Sequence, residues 1–162
     1  MKTLFLARHA KSDWNQAGYS DFDRPLNSRG EIDAPVMASF LQKNYSIDLI
    51  TSSDAARALA TATEYQKILT PDKNINQQHS LYNAAYFDIN DVVKQLSDSY
   101  SAAMIVGHNP GMSDLVNFYC KNTIDDMPTC SVAVIQFAVS SWNEIQKATG
   151  ELLAFEFPKK RR

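Results

Sequence analysis

Three places in the chain bring together residue types suited to phosphoryl chemistry: Arg8-His9, the stretch from Ser52 to Arg57, and His108. A neutral imidazole, with an ordinary pKa of about 6.5, is a good nucleophile near pH 7, and guanidiniums fixed beside it favour that neutral form. His9 is therefore the candidate nucleophile, with Arg8 and Arg57 as its neighbours. Guanidiniums also present forked donors that match phosphoryl oxygens, which keep their charge spread over three equatorial positions during transfer. Two unit charges about 4 Å apart interact by roughly 4 kcal/mol at an effective dielectric near 20, so electrostatic positioning is the expected main catalytic contribution. His108, leaving a glycine turn at a helix start, would add a hydrogen bond to the phosphoryl oxygens, most strongly when protonated. The backbone N–H of Asn109 lies in the same turn, although an Asn there equally suits helix capping.

Each residue also has a plainer reading. Arg8-His9 can be a strand-end pair bonded to a carboxylate, His108 a turn residue satisfied by backbone, and Arg57 a surface residue paired with Glu64. Paired histidines suggest a metal, yet the chain has only three His, and no Cys or carboxylate cluster supplies a usual ligand spacing. The third, His79, reads as structural or exposed. Arg24 either meets phosphate or pairs with Asp21 or Asp23, and Trp14 and Tyr19 either shield a substrate or anchor their loop to the core.

The elements that must position these groups follow from local pattern. Thr3–Ala7 and Ala102–Val106 are continuous apolar runs, as expected of strands buried on both faces, and Asp48–Ser52 is another short strand. Lys11–Asn27 reads as a long loop, a lid or specificity segment. A helix over Ser28–Asn44 is expected from a Ser28–Glu31 capping box, with a kink near Pro35. A second helix begins at Ala55, capped by Ser53 or Asp54, with Arg57 in its first turn. That end of a helix already carries positive partial charge, so an anion placed there would resolve the conflict. Asn74–Ser80 is a weak strand, Asp88–Ser99 a helix striped by Val92, Val93 and Leu96, and a further helix carries Leu115, Val116, Phe118 and Tyr119. Ser131–Val139 and Leu152–Phe157 read as strands near the sheet edge. Alternating strands and helices imply an α/β three-layer sandwich, a mostly parallel mixed sheet with helices on both faces, which binds ligands beyond the carboxyl ends of its strands.

Composition narrows the function classes. The 162 residues fit a single domain spanning 1–162, and 44% hydrophobic against 21% charged residues is ordinary for a globular chain. Sixteen Lys and Arg against eighteen Asp and Glu leave a net charge of −2, no field for nucleic acid or an anionic membrane. The terminal Lys159-Lys160-Arg161-Arg162 is either a docking tail for an acidic partner or a solvated end. No apolar run is long enough to span a bilayer, and Met1–Arg8 lacks the pattern of a secretory leader. Cys120 and Cys130 are expected as buried thiols, and the expected location is cytoplasmic.

Leu6-Ala7-Arg8-His9-Ala10 resembles the Arg-His-Gly signature of the histidine phosphatase superfamily, with Ala10 in place of the usual Gly. The segments Arg24–Gly30, Ser52–Ala58 and Val106–Gly111 resemble further superfamily motifs in the expected order. The resemblance implies the histidine-phosphatase fold, His9 as the phosphorylated residue, Arg8 and Arg57 as phosphate clamps, His108 as the second pocket histidine, and no metal or organic cofactor. Chain length, Lys11–Trp14, Leu81–Ala84 and Phe157–Lys159 are most similar to the SixA-type phosphohistidine phosphatases, whose partner is a phosphohistidine-bearing protein. The phosphoglycerate-mutase branch places an acidic proton donor near Tyr82-Asn83, where this chain has no carboxylate; Asp13 and Asp88 are the nearest by sequence. A general acid contributes about 10²–10⁴-fold and is needed most by poor leaving groups, whereas an imidazole, whose conjugate acid has a pKa of about 6.5, leaves without one. Two other functions stand beside this expectation: a phosphatase of small phosphorylated metabolites, and a module that binds phosphoprotein without turning it over.

Overall fold

A computed structural model describes residues 1–15, 17–121 and 124–161. Six strands form one mixed sheet: β1 (Lys2–Arg8), β2 (Leu49–Ser52), β3 (Asn76–Gln77), β4 (Ala102–Gly107), β5 (Val132–Phe137) and β6 (Glu151–Glu156), in the order β3-β2-β4-β1-β5-β6. The pairs β1/β4, β2/β4 and β2/β3 are parallel, whereas β5 runs antiparallel to both β1 and β6. Among the described residues, four α-helices pack on the sheet: α1 (Ser28–Asn44), α2 (Ala56–Leu69), α3 (Tyr86–Lys94) and α4 (Gly111–Tyr119).

Because side chains alternate across a strand, β1 feeds two cores. Phe5 and Ala7 join Met37, Leu41, Ala58 and Tyr65 beneath α1 and α2. Leu4 and Leu6 join Ile89, Leu115 and Tyr119 beneath α3 and α4. The result is the three-layer α/β arrangement expected from the alternating pattern, and strands covered on both faces account for the continuous apolar runs of β1 and β4.

Several local expectations are corrected. Asn27, not Ser28, caps α1, its side chain accepting from the Gly30 N–H at 2.9 Å, and the helix continues through Pro35 to Asn44. The N-cap of α2 is Ala55, which makes no side-chain cap bond; the Ser53 hydroxyl accepts instead from the Ala55 N–H at 3.2 Å. The α3 helix starts at Tyr86, with the Asp88 carboxylate reaching back to the Ala85 N–H, so Asp88 lies inside its first turn and the helix ends before Ser99. The stretch expected as a weak strand yields only Asn76–Gln77, followed by a 3₁₀ turn over His79–Leu81. The two strands expected near the sheet edge are found there, β6 as the edge strand and β5 next to it, and pairing with both β1 and β6 explains the burial of β5.

The loop over residues 11–27 is pinned at its base by a Ser12–Leu26 bridge and by the Asp13 N–H donating to the Pro25 carbonyl at 2.9 Å. At the other terminus the chain folds back: Lys160 Nζ donates to the Phe155 carbonyl at 2.8 Å and Arg161 pairs with Glu156, while Arg162 lies outside the described residues. Cys120 and Cys130 are buried, and neither forms a disulfide. Among the described residues no helix is long and apolar enough to cross a membrane.

Candidate active site

Strand register assembles the site. Parallel pairing sets Arg8 against Gly107 and Ser52 against Val106, so the three chain exits leave the sheet at one level. The ladder continues one step further, with the His9 N–H donating to the Gly107 carbonyl at 3.1 Å and the Ser53 N–H to the Val106 carbonyl at 3.0 Å. His9 and His108, ninety-nine positions apart, thereby face each other with ring centroids 5.2 Å apart. Arg8, His9, Arg57, His108 and Asn109 all line one cavity of about 330 Å³ at the carboxyl end of the sheet.

The environment of His9 fixes its chemistry. Its Nδ1 lies 2.7 Å from the Ala10 carbonyl oxygen, which can only accept, so Nδ1 carries the hydrogen and Nε2 keeps the lone pair of the neutral ring. Burial pulls the His9 pKa down to about 3, with smaller contributions from His108, Arg57 and Arg8. The sequence expectation credited the guanidiniums with this neutrality; burial is the larger cause. The Ala10 N–H donates to Thr61 Oγ1 at 2.9 Å and the His9 carbonyl accepts from Cys130, holding the backbone from both sides.

His108 is not in the protonated form that would donate most strongly. Burial, then Arg57, lowers its pKa to about 4, so it is neutral near pH 7 rather than protonated. Its Nε2 lies 2.8 Å from Ser53 Oγ, while its buried Nδ1 has no partner. In the tautomer where Ser53 donates to Nε2, Nδ1–H is a neutral donor available to a phosphoryl oxygen.

The arginines are held by their far ends. Arg8 Nη1 donates to the Met127 carbonyl at 2.8 Å. Arg57 Nη1 donates to the Asp21 carbonyl at 2.7 Å, and Nη2 to Asp21 Oδ2 at 3.2 Å. The anion expected beside Arg57 is thus supplied by the chain's own loop, and Glu64 pairs with Lys67 instead. Among the described residues, the buried side-chain polar atoms lacking a hydrogen bond are Nε of Arg8, Arg24 and Arg57 and Nδ1 of His108, and all four residues line this cavity. Buried donors are almost always paired, so four orphans around one cavity mark a place for an acceptor-rich anion.

Asn109 has a saturated side chain. Its Nδ2 donates to Asp126 and to the Met127 carbonyl, and its Oδ1 accepts from the Ser113 N–H and hydroxyl, so it braces the turn that also holds Arg8. His79 is exposed, with Nδ1 2.9 Å from Asp54. Trp14 is exposed rather than packed on the core, and the Arg24 guanidinium lies 3.6 Å from its ring centroid. Sequence reasoning missed Ser53 and Tyr82 as partners of the site and Asp21 as its resident carboxylate. The Tyr82 hydroxyl donates to Asp21 Oδ2 at 2.6 Å, and its ring stands edge-on to His108. Only the Asp21–Arg24 spacing offered a local signal. Among the described residues, no three His, Cys, Asp or Glu side chains are grouped as a metal ion would require.

The chain is similar to known proteins in sequence and in fold. An uncharacterized chloroplastic protein of Arabidopsis thaliana is 31% identical over 92% of this chain and 72% of its own length. A solved structure bearing the SixA name, from Agrobacterium tumefaciens, superposes with a TM-score of 0.82 at 27% identity, covering 97% of this chain and 98% of that one. The protein histidine phosphatase SixA complexed with tungstate shares the fold at a TM-score of 0.84 and 20% identity, over 99% of both chains. The histidine phosphatase superfamily (branch 1) matches over residues 4–104, and the chain belongs to that superfamily.

Proposed function

We propose that this protein is a phosphohistidine phosphatase that works through a covalent phospho-His9 intermediate. The observation that carries the reading is the His9–Ala10 contact: with Nδ1 committed to the carbonyl, the lone pair of a neutral, buried ring is on Nε2. In the first step Nε2 attacks phosphorus while the bond to the substrate imidazole breaks, its electron pair staying on that ring. A phosphoimidazole protonated on its other nitrogen leaves as neutral imidazole and needs no donor. Water then attacks phospho-His9, the P–N bond breaks, the pair returns to Nε2, and phosphate departs with the remaining proton of water passed to solvent. Arg8 and Arg57 hold the phosphoryl oxygens, His108 donates to one of them, and Asn109 braces the turn beneath.

The choice of leaving group follows from the carboxylates. Asp21 is the one carboxylate lining the cavity among the described residues, and the Tyr82 hydroxyl, then Arg24 and Arg57, hold it well below the usual carboxylate range. It is ionised and in no state to protonate an alkoxide. Asp13 and Asp88, the other candidates by sequence, bond the Asn15 and Ala85 N–H groups and do not line the cavity. The similarity to SixA-type chains supports a phosphohistidine-bearing protein as substrate and a role in signal transduction. Two buried thiols support a reducing, cytoplasmic setting for a single domain over residues 1–162.

The test is phosphate release by wild type and His9→Ala from a phosphohistidine-bearing protein, an aryl phosphate and an alkyl phosphate at matched concentration. The expected outcome is turnover of the first, slower turnover of the second, almost none of the third, and none by the variant. Comparable hydrolysis of the alkyl ester would establish the metabolite phosphatase instead, and binding without release from any substrate would establish the recognition module.

A further inference from the structure

The cavity holds an anion of its own. Asp21 is the one carboxylate lining it among the described residues, in the company of the cations Arg8, Lys11, Arg24 and Arg57. Its Oδ1 accepts from Arg24 Nη2 at 3.0 Å, and its Oδ2 from Arg57 Nη2 at 3.2 Å and from the Tyr82 hydroxyl at 2.6 Å. The main chain beside it is tied independently of the carboxylate: the Asp21 carbonyl accepts from Arg57 Nη1 at 2.7 Å, and the Phe22 carbonyl from the Ala56 N–H at 2.9 Å. Arg24 likewise has a second bond, to Ser12 Oγ. Each guanidinium therefore keeps an anchor when the carboxylate loses its charge. The Asp21 side chain is 48% exposed against 6% for that of Arg57, so the carboxylate stands at the mouth with the guanidinium behind it.

Arg57 divides its donors between two anions. Nη1 and Nη2 turn to Asp21, while Nε, buried and without a hydrogen-bond partner, lies on the edge left to a ligand. A phosphoryl group carrying about −1.5 to −2 charges thus binds across one guanidinium from a fixed negative charge. Like charges that close repel, and the repulsion acts on substrate and product alike. Binding every state equally tightly lowers KM without raising kcat, and phosphate leaves through the same donors that received the substrate. A resident carboxylate removes that uniform part of the grip.

We propose that Asp21 sets the affinity of the site for phosphate, its charge weakening a grip that the neighbouring cations would otherwise make tight enough to retain product. The proposal rests on the phosphatase reading above and adds to it a determinant of product release. The rival account is that Asp21 is a tie holding Arg24 and Arg57 in place, so that its loss weakens phosphate binding. The two accounts predict opposite signs. Titration calorimetry with inorganic phosphate on wild type, Asp21→Asn and Asp21→Glu decides between them, at a temperature where the Tm of each shows all three to be folded. Asp21→Asn keeps the shape and an acceptor oxygen but not the charge, and its Kd should be about tenfold lower than that of wild type. Asp21→Glu keeps the charge, and its Kd should lie at or above the wild-type value. A Kd for Asp21→Asn above that of wild type or within about threefold of it, or an equal fall in Asp21→Glu, would overturn the proposal. Wild type that turns over substrate and loses it in His9→Ala, while Asp21→Asn binds phosphate no more tightly, refutes this inference alone. Wild type that neither turns over substrate nor binds phosphate refutes the phosphatase reading with it.

Discussion

Strand β1 carries a cation at each end, Lys2 buried and Arg8 half-buried, and the fold treats them oppositely. At the amino end Lys2 Nζ donates to the Asp98 carbonyl at 2.7 Å and the Tyr100 carbonyl at 2.8 Å, and lies 5.5 Å from the centroid of the buried Trp142 ring. At the carboxyl end Arg8 has one side-chain bond, to Met127, and a buried Nε with none. A cation that holds a fold together is surrounded by acceptors of the chain itself. One that must receive a ligand is fixed by its far end and left short of acceptors. The same contrast separates the two ends of the sheet, since every orphaned buried donor among the described side chains belongs to a residue of the cavity at the carboxyl end.

The sharpest way to break this comparison is to exchange both cations for Met. Arg8→Met should lower kcat/KM by about 10²–10³-fold, the usual loss when one donor to developing negative charge is removed, with a Tm equal to or above that of wild type. A clear fall in Tm with little change in kcat/KM would place Arg8 with Lys2 as a structural residue. Lys2→Met should do the reverse, costing about 1–3 kcal/mol of stability by removing two charge-assisted hydrogen bonds to the Asp98 and Tyr100 carbonyls. Its kcat/KM should stay close to wild type, as checked by urea unfolding beside steady-state kinetics.

Smaller effects should appear on titration. His9 and His108 have pKa values of about 3 and about 4 in the fold, against about 6.5 when unfolded, so unfolding between those limits takes up protons. Their contribution to stability is complete above pH 6.5 and drains away as pH falls toward 4 and then 3. In an NMR titration both rings should keep neutral-ring nitrogen shifts through pH 6.5. A midpoint near 6.5 for His9 would show that burial does not control it, and stability flat from pH 7 to 4.5 would contradict the linkage.

Legibility from sequence divides along similar lines. Arg8, His9 and His108 could be found because each closes an apolar run, and runs buried on both faces are strands whose parallel register brings their exits together. The layers followed from the same alternation. Asp21 and Tyr82 could not be found, because they meet Arg57 and each other across 36 and 61 positions through loop geometry with no local pattern. The neutral state of His108 could not be read from sequence for a related reason: exposure is a tertiary property, and burial is the larger cause of its lowered pKa. The capping errors at Asn27 and Ala55 arose where neighbouring polar residues offered equivalent caps, a choice settled by a single backbone bond.

The central claim is that His9 Nε2 becomes phosphorylated. Its most direct test mixes enzyme with phosphohistidine-bearing protein, denatures the mixture within the first turnover under alkaline conditions where a phosphoramidate survives, and maps the phosphate by mass spectrometry. The account predicts a transient phosphoryl group on His9, formed no more slowly than the steady-state rate and absent from His9→Ala. Substrate turnover with no phosphoenzyme, or with the phosphoryl group on another residue, would contradict it.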